Sequence, residues 1–373
     1  MLRNSRRLLL LLLAAAAVGY LFYKFRNSIT LEGFRWSTVG QSLRDARLSL
    51  LLLAIVAVYG CFAIRALRWM RFSRTLGRTH FWNVYPATLM GFSCTFLLGR
   101  AAEPIRPVLI AKKDALSVPH MFGVYVLERV FDMAATAVLA ATALLFFERH
   151  GMAGGQNDAI MKVARSTGVA LLAGLVFVIS FLIYFRYHGA EWLGRRLQKS
   201  SWRSGWRGKI VALLEGFSEG LQGIRTWNDL GVLVGLTIAH WALVVCCYLW
   251  VFNSFGGRLG MLTFASAALV LAFSMIGSAA QLPGVGGGAQ LATFLVLTLI
   301  FGVEKVPAAT ASIVVWLVTF ASCCLIGLPL LLREGWSVGE LRKMATAAEH
   351  DAEALAEQAA LGAAGAGPGE KTL

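Results

Sequence analysis

Between Leu259 and Val303 the chain runs for 45 residues without a single charged side chain. A helix that crosses the hydrocarbon core of a bilayer needs about 20 apolar residues, so this stretch has length for two crossings and little polarity with which to face water. Four further runs, Leu48–Ile64, Thr167–Phe185, Leu230–Gly257 and Val306–Leu332, also lack Asp, Glu, Lys and Arg. None shows the ten-residue alternation of a barrel strand, and their lengths suit helices that satisfy their own backbone hydrogen bonds. The expected class is an all-α polytopic membrane protein. Charged residues are only 15% of the chain, against roughly 25% in ordinary soluble domains, which excludes a soluble enzyme, a secreted disulfide scaffold and a disordered tail protein.

The formal charge of +15 arises from 35 Lys and Arg against 20 Asp and Glu, and on a membrane chain such a surplus orients loops and attracts an anionic lipid surface. Nucleic acid is not an expected partner, because the basic residues sit in short loops between apolar runs. All six cysteines (Cys61, Cys94, Cys246, Cys247, Cys323, Cys324) lie inside apolar runs with no histidine or acid at ligand spacing beside them. They read as small core residues, and no metal site or cofactor is expected. His240 is the one histidine within a run, where a helix-to-helix hydrogen bond is its expected role.

Charge also sets a topology. Arg3, Arg6 and Arg7 precede Leu8–Val18 and the Ala14–Ala17 run, as in a secretory signal, yet apolar character continues through Tyr20–Phe25 and residues 1–26 are read as an uncleaved first span. Five arginines without an acid lie between Ile64 and Phe81, and eight basic residues against four acids lie between Phe185 and Leu230, so both loops are expected in the cytoplasm. Residues 167–185 then cross inward, and the helix ending near Phe147 starts on the cytoplasmic side.

Residues 81–111 must therefore begin and end on one side, around Val84–Leu98 followed by Gly99, Arg100, Glu103, Pro104, Arg106 and Pro107. Such a sequence cannot continue as a lipid-facing helix, and a broken or re-entrant hairpin is expected. The run 259–303, interrupted by Gln281-Leu282-Pro283-Gly284-Val285-Gly286-Gly287-Gly288-Ala289-Gln290, gives a second hairpin, entering from outside. With about seven full spans, this arrangement puts 23 basic residues in the cytoplasm and 10 outside, which fits the positive-inside bias although the loop 24–47 holds five of those outside.

The two halves share an ordered pattern. Gly91-Phe92-Ser93 precedes the first break and Ala272-Phe273-Ser274 the second; Val118-Pro119 opens one long helix and Val306-Pro307 the other, at offsets of 181 and 188 residues. The expected organisation is an inverted repeat: repeat 1 over 45–147, a linking span and basic loop over 148–228, repeat 2 over 229–332, and a cytoplasmic, partly disordered tail over 333–373. Inverted repeats with Gly/Pro-interrupted segments at matching positions mark transporters that bind substrate near the bilayer midplane, whereas isolated Pro or Gly kinks need mean nothing beyond structure.

Ionisable residues within or beside a membrane cost a few kcal/mol each, so a cluster implies mutual pairing or a wet cavity. Arg100, Glu103 and Arg106 are followed by Glu128, Arg129 and Asp132. Glu128 and Asp132 are four apart and share one helix face. One reading has Arg100 or Arg106 receiving a lipid phosphate while Glu128, Arg129 and Asp132 orient the arginines or the headgroup; the other is an ion-pair network pinning the hairpin to the long helix. Gly284, Gly286, Gly287 and Gly288 offer backbone N–H groups for an anion nest, with Gly99, Pro104, Pro283 and Gln290 at the hinges. No nucleophile–base set and no P-loop context accompanies them, and the chain is not expected to be an enzyme.

Gly99-Arg100-x-x-Glu103-x-x-Arg106, then Leu127-Glu128-Arg129-Val130-Phe131-Asp132, and later Leu282-Pro283-Gly284 before a Gly-rich break together resemble the flippase-like family named after the membrane region of lysylphosphatidylglycerol synthase. The resemblance covers residues 45–332. It implies a lipid-translocating module of the bacterial inner membrane, with relatives linked to aminoacylated phosphatidylglycerol, hopanoids and lipid-linked glycans. Two positions depart from the family pattern: Gln290 stands where an acid is usual and Trp316 where an arginine is frequent. The soluble aminoacyl transferase domain of the full-length synthase has no counterpart in these residues. The expected function is movement of a phospholipid, aminoacyl-phospholipid or isoprenoid-type lipid between leaflets; the alternative is a non-transporting partner of a lipid- or glycolipid-synthesis enzyme, docked through the basic loop 186–228 with its tryptophans Trp192, Trp202, Trp206 and Trp227.

Overall fold

Among the described residues, three helices are long and apolar enough to cross a membrane: Leu48–Phe72, Trp227–Ser254 and Lys305–Arg333. They belong to a computed structural model that describes residues 36–99, 102–150, 226–278, 281–282 and 286–335, together with positions 169, 173 and 180. The expected span 1–26, the expected span 167–185 apart from those three positions, most of the basic loop 186–228, the tail beyond 335, Arg100, Pro283 and Gly284 lie outside the described residues.

The described chain is helical apart from one two-residue ladder. Its elements are α1 (Trp36–Asp45), α2 (Leu48–Phe72), α3 (Phe81–Leu98), α4 (Ile105–Lys113), α5 (Val118–His150), α6 (Trp227–Ser254), α7 (Phe264–Gly277), α8 (Gly288–Leu299), α9 (Lys305–Thr319) and α10 (Cys324–Arg333). The stretch expected as a loop over 24–47 thus contains α1. Helix α2 continues two turns past the apolar run that announces it, carrying Arg65 and Arg68 into the buried interior. Helices α9 and α10 form one apolar stretch interrupted by a single 3-10 turn at Ala321–Cys323.

Both expected breaks are present. Helix α3 ends at Gly99, whose φ of 81° is open to glycine at low cost, and α4 starts after Pro104. The chain folds back so tightly that a Cβ on Gly91 would lie 2.6 Å from Arg106 Cβ. In the second half α7 and α8 are joined through a small antiparallel ladder, Gln281 opposite Gly287 and Leu282 opposite Gly286. A Cβ on Gly277 would lie 2.8 Å from Ala292 Cβ. At 14 and 12 residues, α7 and α8 reach only about 21 and 18 Å and neither crosses a core of about 30 Å alone.

Packing follows small residues, as helix association inside a bilayer requires. Helices α2 and α6 meet along Ala54, Gly60 and Cys61 against Cys247 and His240; Cys247 Sγ lies 3.6 Å from Ala54 O. The hairpin helix α3 packs on α10, where Gly327 admits the Leu89 carbonyl to within 2.6 Å of a would-be Cβ and Ser93 Oγ donates to Cys323 O at 3.2 Å. The hairpin helix α7 packs on α5. Each hairpin therefore rests on the long helix of the other half. All six cysteines are unpaired; Cys61, Cys94, Cys247 and Cys323 are buried.

Candidate functional site: a buried arginine–carboxylate network

Helix α2 carries Arg65 and Arg68 three residues apart, and α5 carries Glu128 and Asp132 four apart, so each pair projects from one helical face. The faces meet. Arg65 Nη1 donates to Glu128 Oε1 at 2.8 Å and to Asp132 Oδ2 at 3.0 Å, and Arg68 Nη1 donates to Asp132 Oδ1 at 2.8 Å. From α4, Arg106 Nη2 pairs with Glu128 Oε2 while its Nη1 lies 3.5 Å from Oε1. From α6, His240 Nε2 lies 3.1 Å from Arg65 Nη2. A guanidinium has no acceptor, so His240 accepts this bond through an unprotonated Nε2.

Four helices are thus tied at one point. None of the five charged residues is more than 7% exposed. Aromatic rings close the remaining faces: Arg106 Cζ lies 4.7 Å from the Trp69 ring centroid and 5.4 Å from that of Phe92, and Arg65 Cζ lies 5.3 Å from Phe92. Such faces attract cations most strongly where water is excluded.

An outer pair flanks this core. Tyr125 Oη donates to Glu103 Oε2, Arg129 Nη1 lies 3.8 Å from the same oxygen, and the two charged side chains are partly exposed. Of the residues singled out in the sequence, Arg106, Glu128 and Asp132 come together in the core, while Glu103 and Arg129 pair beside it. Arg65, Arg68 and His240 complete the core: the two arginines are expected from sequence in a cytoplasmic loop, whereas His240 makes the helix-to-helix hydrogen bond expected of it. The signal that identifies the arginines is their phase, because Ala66, Trp69 and Phe72 continue the buried stripe of α2 around them.

The second half builds a different environment at its break. Tyr248, Ser274, Gln290, Thr293, Ser312 and Trp316 line a recess too narrow to admit water. Tyr248 Oη and Ser274 Oγ are hydrogen-bonded at 3.1 Å. Gln290 Oε1 accepts from the Gly287 N–H at 2.8 Å, which closes the turn and occupies a donor expected for an anion nest. Gly287 itself has φ 133°, and Gly288 begins α8. Gln290 and Trp316 face one recess. Phe96 reaches it from the first hairpin, with its ring 5.3 Å from that of Trp316.

Residues 8–327 match the family described as lysylphosphatidylglycerol synthase TM region. No curated protein and no solved structure matches the chain.

Proposed function

Because the chain belongs to the lysylphosphatidylglycerol synthase TM region family and is a membrane protein of a family tied to lipid metabolism, we propose that it moves a lipid between leaflets of the bacterial inner membrane. The substrate class is a phospholipid, an aminoacyl-phospholipid or an isoprenoid-type lipid. The observation that carries this reading is the network itself, which joins the first hairpin to three other helices through buried charges.

A structural clamp alone is better built from apolar side chains, because replacing buried ion pairs by packed hydrophobic residues is often neutral or stabilising. Charges retained inside a membrane chain mark substrate paths and two-state elements more often than scaffolding. The packing of each hairpin on the long helix of the opposite half supports an inverted repeat, and with the outer spans this gives a multi-pass topology of about seven crossings. Rocking one half against the other opens a path between the hairpins, with Arg106 exchanging Glu128 for a headgroup and Arg100 and Arg129 meeting it from the cytoplasmic side. In this reading the chain makes and breaks no covalent bond.

The test is leaflet exchange of headgroup-labelled lipids in proteoliposomes that contain the purified protein. Wild type is expected to exchange label, and Arg100→Ala and Arg129→Gln, chosen for unchanged thermal stability, are expected to lose most of that rate. Absence of exchange with anionic, zwitterionic and isoprenoid lipids would instead favour a partner of a lipid-synthesis enzyme.

A further inference from the structure

The buried core holds three guanidinium groups, Arg65, Arg68 and Arg106, against two carboxylates, Glu128 and Asp132. His240 accepts a hydrogen bond and adds no charge, so one positive charge is left over among the described residues. Each carboxylate oxygen is already engaged by an arginine: Asp132 offers one oxygen to Arg65 and one to Arg68, and Glu128 divides its oxygens between Arg65 and Arg106.

The surplus can be located. Arg68 is 0% exposed and uses only Nη1; among the described residues its Nε and Nη2 meet no hydrogen-bond partner. Phe72 lies 6.0 Å from Arg68 Cζ, and a ring face does not serve in-plane N–H groups. Leaving buried donors unpaired costs far more than a hydrogen bond gains, and each such group calls for an explanation. Nε and Nη2 sit on the same edge of the planar guanidinium with parallel N–H bonds, the fork that grips two oxygens of a phosphate or carboxylate.

We propose that the Nε/Nη2 edge of Arg68 binds the single negative charge of a phosphodiester, and that the substrate is a monoanionic phospholipid with an uncharged headgroup. The proposal rests on the translocation reading for the word substrate, though not for the binding. One negative charge neutralises the core. A zwitterionic or aminoacylated headgroup adds ammonium groups, which would meet a core whose two carboxylate charges are already offset by arginines. Because Arg68 is sealed in the conformation described, the anion enters when α2 and α5 part.

The experiment is thermal unfolding of the full chain in detergent, titrated with dihexanoylphosphatidylglycerol, dihexanoylphosphatidylcholine or inorganic phosphate. Dihexanoylphosphatidylglycerol is expected to raise the Tm by a few degrees at a hundredfold excess over its Kd, and dihexanoylphosphatidylcholine to leave it unchanged. An equal rise with inorganic phosphate supports the oxyanion site and identifies free phosphate as sufficient; no rise with either anion overturns the proposal.

Arg68→Gln leaves Asp132 its bond to Arg65 and balances the core at two cations and two anions. Without ligand its Tm is expected to match or exceed that of wild type, and the lipid-induced rise is expected to vanish. A drop of several degrees without ligand marks Arg68 as purely structural and overturns the proposal. Arg68→Lys keeps the charge without the two-donor edge and is expected to need at least tenfold more lipid for the same rise. A retained Tm response without leaflet exchange upholds the site and sinks transport; exchange by wild type and Arg68→Gln alike, with no Tm response, does the reverse.

Discussion

The first half of the molecule fills the space between its leading span, its hairpin and its long helix with ions; the second half fills the corresponding space with hydroxyls, an amide and an indole. Glu128 anchors two arginines in the first half, whereas Trp316, 188 residues later in the chain, is a neutral aromatic lining the recess of the second. The difference teaches how polarity is held inside a membrane chain. A buried charge needs a partner, so the first half holds its charges in pairs while the recess of the second is lined by neutral groups. Each half keeps a buried donor without a partner among the described residues, Thr293 in the neutral recess and Arg68 in the charged core.

The strongest way to break this comparison is to make the first half imitate the second. Glu128→Gln leaves Arg65 and Arg106 without their shared carboxylate, and the expected loss is about 3–5 kcal/mol, measurable as reduced resistance to unfolding in detergent. A loss under about 1 kcal/mol would mean that water reaches the pair and that the core is not the sealed element described above.

The next test addresses the contact between halves. Gly327 lies where α10 touches the backbone of α3, and a larger side chain there must displace Leu89 and Ser93. Gly327→Leu is expected to cost about 1–3 kcal/mol, toward the upper end because the obstacle is backbone. Gly235→Leu on α6, where nothing lies within 4 Å of a would-be Cβ, is the matched control and is expected to change stability little.

The hairpins and the three spans were legible in the sequence, and the physical reason is local. Gly99, Pro104 and the glycines around Gly287 limit what the backbone next to them can do, and uncharged runs of sufficient length have few homes other than a membrane. The pairing of Arg106 with Glu128 was accessible because the two stand near each other in the chain. Arg65 and Arg68 were not, since their acids come from more than 60 residues away and local charge made them look like a cytoplasmic loop. The Gln290 cap was equally hidden, because it depends on the positive φ of Gly287.

A double-mutant cycle sharpens the comparison from the other side. Gln290→Glu places an unpaired acid in the narrow recess while preserving the acceptor for Gly287, and Trp316→Arg adds an unpaired base. Each single change is expected to destabilise, and the pair to recover a coupling energy of about 0.5–3 kcal/mol by chemical unfolding. Strict additivity would show that the two positions no longer form a pair site.

The smallest expected effect falls on Thr293, which is 1% exposed and whose hydroxyl has no hydrogen-bond partner among the described residues. Valine has nearly the same shape and no donor to leave unpaired, so Thr293→Val is expected to be neutral or to stabilise by up to about 1 kcal/mol. The same logic applied to Arg68→Gln predicts tolerance in the absence of ligand, which places the two unpartnered groups on one footing structurally. They differ in what the orphaned donor can recruit. A lone hydroxyl in a recess closed to water gains one neutral hydrogen bond at most, whereas a two-donor guanidinium edge carries a whole charge. Anionic lipid should therefore shift the Tm of Thr293→Val by the same amount as wild type, and a Thr293→Val response as weak as that of Arg68→Gln would place the anion in the neutral half instead.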